Sequence, residues 1–580
     1  MNDLFEILVK KREELFLSLI CAWVSGAALA KLVPLLGGAA LFPALLGGAA
    51  VFFTLICLSL FTDRGLSAGK GTLLAASLLL CLSFCWDLYG KEGDDLAFLS
   101  ATAILAVVLV YVLRGSERFS PPDRGGKLWF AAAVACAIVF AVRVGLIGVF
   151  RYLTYHTPTY DFGIFAQVFW SLRDHFSPDA SCERDQILSH FAVHLSPAFY
   201  LLLPFYLIFP YPATVQMLQS VVLAAAVIPL WLICRRMKLT ARASFAFCFL
   251  YLIHPALIGG CMYDFHENCM LPLFLFSAIL FAEKGGKSGA VWAMVFSLLT
   301  CMIKEDAAVY VAFLALFLLL SGRRRALGGA MLALSLLYFL FACWYIDTYG
   351  LGIMSYRYQN VSSDGSLFGV IVTALTDPMR VIRACFTAEK LECAAFMLLP
   401  LGLLPFASKK VSRFILLGGL ILVNLIPDYV YQHSIDFQYV FGSLTLLVYA
   451  SVLNYTELPS VRRYLASLAV CAALLTASMR FSRHSSYLSY PRYYAKETEV
   501  IGRGIAMVPE GESVSVSTFL AANLSNRKEL YLIEGMHETE WVVVDLRYGE
   551  WQKYPGEYTK LGYETVYRED GYVCVMKKGK

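Results

Sequence analysis

A chain of 580 residues that is 59% hydrophobic and 16% charged, with a mean hydropathy of +0.64, is too apolar and too poor in charge to be a soluble protein of this size. It reads as an all-α polytopic membrane protein, because its apolar runs are continuous and a barrel would show alternation instead. The formal net charge of +5 is spread over short loops between apolar runs, so it offers no soluble basic face for nucleic acid and informs orientation instead.

The first residues, "MNDLFEILVKKREELF", lack a small-residue cleavage site and run directly into apolar sequence, so the first helix is expected to act as an uncleaved signal anchor. Spans are expected at Leu15 to Ala30, Leu41 to Phe61, Leu73 to Tyr89, Leu96 to Leu113 and Leu128 to Phe150. Basic residues flank alternate loops, with Lys10, Lys11 and Arg12 before the first span and Arg114, Arg118, Arg124 and Lys127 after the fourth. The positive-inside rule places these in the cytoplasm, and the acidic "KEGDD" loop and the chain after Phe150 outside.

The basic loops "CRRMKLTAR", "EKGGKSG", "SGRRR", "SKKVSR" and "SVRR" carry the same rule downstream. Parity then allows only one crossing between Phe150 and Arg235. Val215 to Cys234 is expected to cross, while the proline-broken "PAFYLLLPFYLIFP" lies at the outer interface or re-enters. Further spans are expected at Ser244 to Ile258, Cys269 to Phe281, Val291 to Ile303, Ala307 to Leu320, Ala326 to Ile346, Leu391 to Pro405, Phe414 to Ile426, Leu444 to Leu453 and Tyr464 to Met479. The total is about fifteen transmembrane helices, with the N-terminus inside and the C-terminus outside. The sixteen cysteines show no CxxC pair and sit mostly within apolar runs as small hydrophobes; Cys182, in a polar loop, is the exception.

After Arg480 the composition is that of an ordinary soluble segment. "ESVSVSTFLAANLSNRKELYLIEG", "WVVVDLRYGE" and "GYVCVMKK" read as strands, and "FLAANL" and "YPGEYTKLG" as helices, giving a small external α/β domain. It has no GxGxxG and no P-loop, so no nucleotide cofactor is expected.

The unusual polar residues fall at the outer ends of these spans. Asp161 in "TYDFGIFAQVFW" is either an N-cap of the following helix or a catalytic carboxylate. His190 and His194 are spaced i, i+4, and "YDFHEN" supplies Asp264, His266 and Glu267. "IKEDAAVY" sets Lys304, Glu305 and Asp306 inside an otherwise continuous apolar run, where ionisable groups are costly and more often functional than not; pairing of Lys304 with Glu305 or Asp306 is the structural alternative. "PDYVYQHSIDFQY" adds Asp428, Tyr429, Tyr431, His433 and Asp436. Asp264 and His266, two apart, suit a divalent cation, and Arg143, inside the fifth span, is placed to reach an anionic headgroup or phosphate.

"YDFGIFAQVFWSL", "HFAVHLSPAFYLLLPFYLIFP", "HPALIGGCMYDFHEN" and "IKEDAAVY", in that order, resemble the prokaryotic polytopic family named domain of unknown function 2079, grouped with the GT-C glycosyltransferases. The resemblance covers roughly Phe150 to Asp436 and weakens through the C-terminal segment. It implies a GT-C-like fold: residues 1–127 as an N-terminal four-helix module, 128–480 as the membrane core with a large external loop at 151–213, and 481–580 as the external domain.

It also implies transfer of a sugar from a polyprenyl-phosphate donor to a glycan, lipid or protein acceptor of the envelope, at the outer face of the cytoplasmic membrane, with inversion. Asp161 is then the expected base, with Glu305 beside it in the catalytic group. Lys304 and Arg143 are expected to bind the donor phosphate, and His190, His194, Tyr431, His433 and Asp436 to line the substrate site. Asp264, His266 and Asp306 are expected to hold a divalent cation, Mg²⁺ or Mn²⁺. The resemblance's paired-acid motif is absent, since Tyr160 precedes Asp161. The competing readings are a transporter or lipid flippase, which would place polar groups at the midplane, and a non-catalytic envelope scaffold, in which Asp161 would tolerate substitution.

Overall fold

The computed structural model describes residues 11–35, 41–62, 64–87, 108, 111, 123, 125–352, 354–362, 367–458, 484 and 486–579. Among these, seven helical segments are long and apolar enough to cross a membrane: Arg12–Ala30, Phe42–Phe61, Gly126–Leu153, Pro212–Arg236, Ala241–Cys261, Arg325–Tyr349 and Gln438–Glu457. Two of these crossings are jointed by proline. Pro229 cannot donate to the Ala225 carbonyl, so Pro212–Ala225 gives way to Val227–Arg236 at Ala226. In the next crossing Pro255 opens the second segment, Pro255–Cys261.

The expected count of about fifteen is therefore not reproduced. Leu96 to Leu113 falls almost wholly, and Tyr464 to Met479 wholly, outside the described residues. Three other expected spans are the helices Leu271–Lys284, Gly286–Cys301 and Ala307–Leu320, of 14, 16 and 14 residues. At a rise of 1.5 Å per residue they reach about 21 to 24 Å, short of a hydrocarbon core of about 30 Å. Leu391 to Pro405 becomes the helix Ala388–Leu398 followed by short 3-10 turns, because Pro400 and Pro405 lack donors and Gly402 turns the chain at φ 59. Phe414 to Ile426 is likewise a 3-10 segment, Val411–Leu417, and a π segment, Leu420–Leu425. "PAFYLLLPFYLIFP" forms the ten-residue helix Phe199–Ile208, too short to cross.

The last five of the seven long segments share a direction. One end of each lies among basic side chains: Arg235 pairs with Asp123 at 2.9 Å, Arg236 donates to the Glu283 carbonyl at 2.7 Å, Arg323 pairs with Glu283 at 3.0 Å, and the Arg242 guanidinium lies over the Trp129 ring. Arg413 donates to Asn454 at 2.8 Å near the end of the last described crossing. The other ends, at Leu153, Pro212, Cys261, Tyr349 and Gln438, lead into the segments that build the cavity described below. There Gly259 permits a close approach, since a Cβ at that position would lie 2.5 Å from the Ile435 carbonyl oxygen.

The C-terminal segment carries a five-stranded mixed sheet. β3 (Val514–Val516) pairs in parallel with β4 (Leu530–Leu532) and β5 (Trp541–Asp545), and β7 (Val573–Lys578) pairs antiparallel with β5 and β6 (Tyr563–Glu569), in the order β4-β3-β5-β7-β6. A two-stranded ribbon of β1 (Asp179–Ala180) and β2 (Leu188–Ser189) lies in the preceding loop. Alternation puts Val543 and Val575 on one face of the sheet, with Val500 and Ile501 of the helix Ala495–Ile505, and Val542, Cys574 and Met576 on the other, with Tyr558. The strand β6 escaped the sequence reading because it is an edge strand whose residues are mostly exposed. Tyr155 and Cys182 are part of the first of these cores, so the loop after the Gly126–Leu153 helix is packed into the sheet domain.

Candidate functional site

Pro158 ends the extended entry to a π-helical turn, Thr159–Gly163, that sits directly on the helix Ile164–His175. Such turns shift the side chains of a helix out of its regular register and occur often at functional sites. Asp161 in this turn caps neither segment, and its carboxylate makes no hydrogen bond or ion pair with another of the described residues. It lines a cavity of about 400 Å³. Desolvation, reinforced by the nearby Glu267 charge, pushes its carboxyl up to about 7. The cap reading of Asp161 is thereby excluded.

Three histidines line the same cavity: a glutamate holds His190 and His194, whereas His266 Nδ1 accepts from the Asn268 N–H at 3.4 Å with Glu267 alongside. His190 Nδ1 lies 3.0 Å from Glu183, His194 Nδ1 2.8 Å from Glu305, and His266 Nδ1 3.0 Å from Glu267. Burial alone would raise Glu183 and lower His190, but each outweighs burial in the other: Glu183 is held below the ordinary carboxyl range and His190 above the ordinary imidazole. His194 has no such net gain, because burial and the Lys304 charge hold it well down and neutral. A carboxylate on Nδ1 fixes the tautomer and orientation of an imidazole, leaving Nε2 to meet a ligand.

Behind the cavity wall, Lys304 is 1% exposed and pairs with Glu267 at 3.2 Å, so its partner is neither Glu305 nor Asp306. Glu267 therefore stands beside both Lys304 and His266. Asp264 adopts φ 139, a conformation rare for L residues. It is pinned there by Gln216 Nε2 at 2.7 Å and Arg151 Nη1 at 3.2 Å, with Arg151 also donating to the Met262 carbonyl at 2.6 Å.

The expected cation ligands do not gather. Among the described residues no three His, Cys, Asp or Glu side chains form a metal-binding group. Asp264 is committed to Arg151 and Gln216, His266 Nδ1 to the Asn268 N–H, and Asp306 lies half-buried beside Lys304 and Glu305. Opposed cations at two of these positions leave no open set of anionic donors.

Of the other expected residues, Tyr431 lines the cavity, whereas His433 and Asp436 line a separate hollow with Glu389 and Cys393. Glu305 and Lys304 do not line the cavity: Glu305 holds His194, which does, and Lys304 pairs with Glu267 behind it. Arg143 is not at the cavity: it lies two turns, about 12 Å, closer to the basic face than Arg151 on the same helix.

Arg184 and Arg357 both line the cavity, and the sequence reading passed over both; the one set among tyrosines is Arg357. Its guanidinium lies 4.4 Å from the Tyr429 ring and 5.6 Å from the Tyr439 ring, and it is in ion-pair contact with no carboxylate among the described residues. The signal was an arginine flanked by tyrosines in "SYRYQN". Glu183 was hidden in "SCERDQ", which looks like a solvated loop.

A bundle of apolar crossings with basic residues at one end and a charged, histidine-lined cavity at the other defines a polytopic membrane protein. Residues 151–578 match the family described as "Predicted membrane protein (DUF2079)", and the chain belongs to that family. No curated protein matches the chain. Among solved structures, ArnT from Cupriavidus metallidurans bound to undecaprenyl phosphate is similar at 12% identity, over 76% of this chain and 97% of that one, with a TM-score of 0.44. The apo state of the same protein gives the same identity and coverage with a TM-score of 0.43.

Proposed function

We propose that the protein is a membrane glycosyltransferase that moves a sugar from a polyprenyl-phosphate donor to an envelope acceptor at the outer face of the membrane. The observation that carries this reading is the Asp161 carboxylate sharing one cavity with Arg357, neither of them in an ion pair among the described residues. The resemblance of the four motifs to a family grouped with GT-C enzymes supports it, and so does the separation of the cavity from the basic ends of the crossings. By the positive-inside rule the basic ends face the cytoplasm and the cavity faces out.

Depth adds a second support. The short helices that lead from the basic face to Glu267 and to Lys304 reach about 21 to 24 Å, so the charge cluster sits below the outer surface of a core of about 30 Å. A donor anchored by a hydrocarbon chain meets it there without leaving the bilayer.

In this chemistry an acceptor hydroxyl oxygen attacks the anomeric carbon, and the bond from that carbon to the phosphate oxygen breaks. Asp161 takes the hydroxyl proton, and polyprenyl phosphate leaves carrying the bonding electrons, with inversion at the anomeric carbon. Arg357 offsets the charge that grows on the leaving phosphate and binds it in a bidentate manner. Glu183 and Glu305 orient His190 and His194, and the Asn268 N–H orients His266, toward the sugar hydroxyls.

The test is transfer from a polyprenyl-phosphate sugar by the purified chain in lipid nanodiscs. Asp161→Asn should lower turnover by about 100-fold or more with donor binding intact. Arg357→Gln should weaken donor binding by roughly tenfold or more. Full activity in Asp161→Asn removes Asp161 as the base.

A further inference from the structure

We propose that a second hollow, walled by Arg380, Arg383 and the buried Lys390, seats the phosphate headgroup of a membrane lipid. The hollow, of about 460 Å³, lies outside the cavity described above, and the proposal does not rest on the transferase reading.

Lys390 is the first observation. It is 2% exposed, yet it makes no ion pair with a carboxylate among the described residues. Its Nζ donates to the Ala384 carbonyl at 2.7 Å and, more weakly, to the Ile426 carbonyl at 3.4 Å. An ammonium has three donors, so one remains for a ligand. A buried cation with no carboxylate in ion-pair contact is costly, and an incoming anion offsets that cost.

The rim supplies the rest of an anion site. Arg380 and Arg383 are three apart on the helix Pro378–Cys385 and both line the hollow. Arg380 spends its Nε on the Asn360 carbonyl at 3.1 Å, which leaves its two Nη groups for a bidentate grip. Two carboxylates also line the hollow. Asp377 caps the helix, accepting from the Arg380 N–H at 3.2 Å, and with Asp428 it leaves three cations facing two carboxylates.

The second observation selects a lipid over free phosphate. No residue of Pro378–Cys385 is buried, although it carries Met379 and Ile382, 52% and 48% exposed, and Phe386 follows at 66%. The preceding helix, Leu367–Thr376, adds Leu375 at 80%. Apolar side chains in a row beside arginines are the pattern of a helix lying in the headgroup layer, with its apolar side among acyl chains. A ligand that satisfies both features carries a phosphate on a hydrocarbon chain.

The seat adjoins the cavity through its wall. The Asp428 N–H donates to the Arg357 carbonyl at 2.9 Å, and the next residue, Tyr429, lines the cavity. A lipid in the hollow therefore meets Asp428, whose backbone N–H holds the segment that carries Arg357.

The test uses the full chain extracted from nanodiscs of equimolar phosphatidylcholine and phosphatidylglycerol, with retained lipid read by native mass spectrometry. The wild-type protein should retain phosphatidylglycerol in preference to phosphatidylcholine. Arg380→Gln with Arg383→Gln, both exposed, and separately Lys390→Met should reduce that preference about tenfold. The exposed pair decides the result if Lys390→Met does not fold. Equal retention by wild type and the exposed double variant overturns the proposal. Displacement of phosphatidylglycerol by an equal concentration of inorganic phosphate also overturns it, because the seat would then take free phosphate.

Discussion

Thr159 and Thr518, 359 positions apart, hold each other by two hydrogen bonds: the Thr159 N–H donates to Thr518 Oγ1 at 2.8 Å, and Thr159 Oγ1 donates to the Thr518 carbonyl at 2.9 Å. The turn that presents Asp161 is thus clamped from outside the bundle by the sheet domain. Gln167 repeats the connection on the next helix, donating to Ser181 Oγ at 2.9 Å and to the Arg527 carbonyl at 3.0 Å.

The clamp predicts a local effect. Thr518→Val keeps the carbonyl acceptor but leaves the buried Thr159 N–H without one, which costs about 1–3 kcal/mol. Amide hydrogen exchange across Thr159–Gly163 should then quicken by roughly tenfold or more, while the strands β3 and β5 keep their protection. Unchanged exchange in the turn would show that the clamp does not hold it.

Asp161 predicts a pH dependence with a definite sign. Its carboxyl is held at about 7, above its ordinary 3.8, so it is protonated and unable to accept a proton below that value. Transfer should rise about tenfold per pH unit up to about 7 and level off above it. Because the folded state binds this proton more tightly than the unfolded chain does, stability from this site falls as pH rises from about 4 to about 7. Asp161→Asn should therefore gain thermal stability relative to wild type at pH 8 and gain little at pH 4, measured by unfolding in detergent.

Lys304 and Glu267 predict a non-additive pair. Lys304→Met leaves the buried Glu267 without its cation and should destabilise the protein by about 3–5 kcal/mol. The double variant Lys304→Met, Glu267→Gln should recover most of that loss in a thermal unfolding measurement. If the double variant falls as far as the sum of the single changes, the two charges are not coupled.

The membrane class was legible from hydropathy, and the sheet domain from alternation around "WVVVDL" and "GYVCVM", because both follow from local periodicity. The number of crossings was not. An apolar run reads alike whether it faces lipid or protein, and the Gln438–Glu457 segment is 89% buried inside the bundle. Helix length, set by Pro400, Gly402 and Pro405 in one place and by the charged turn at Lys304 in another, separates the two.

The same division runs through the site. Asp161, His190, His194, His266 and Tyr431 stood out in the sequence because polar residues at the ends of apolar runs are costly without a purpose, and the structure brings those five to one cavity. Their partners were invisible: Glu305 reaches His194 across 111 positions, Asp264 meets Arg151 across 113, and Lys304 chooses Glu267 over its own neighbours. Sequence by itself determined which residues resist a hydrocarbon setting, since that is a property of the side chain and its near neighbours. Only the tertiary structure decided which charge answers which, because an ion pair depends on distance through space, and the folded path of the chain sets that distance.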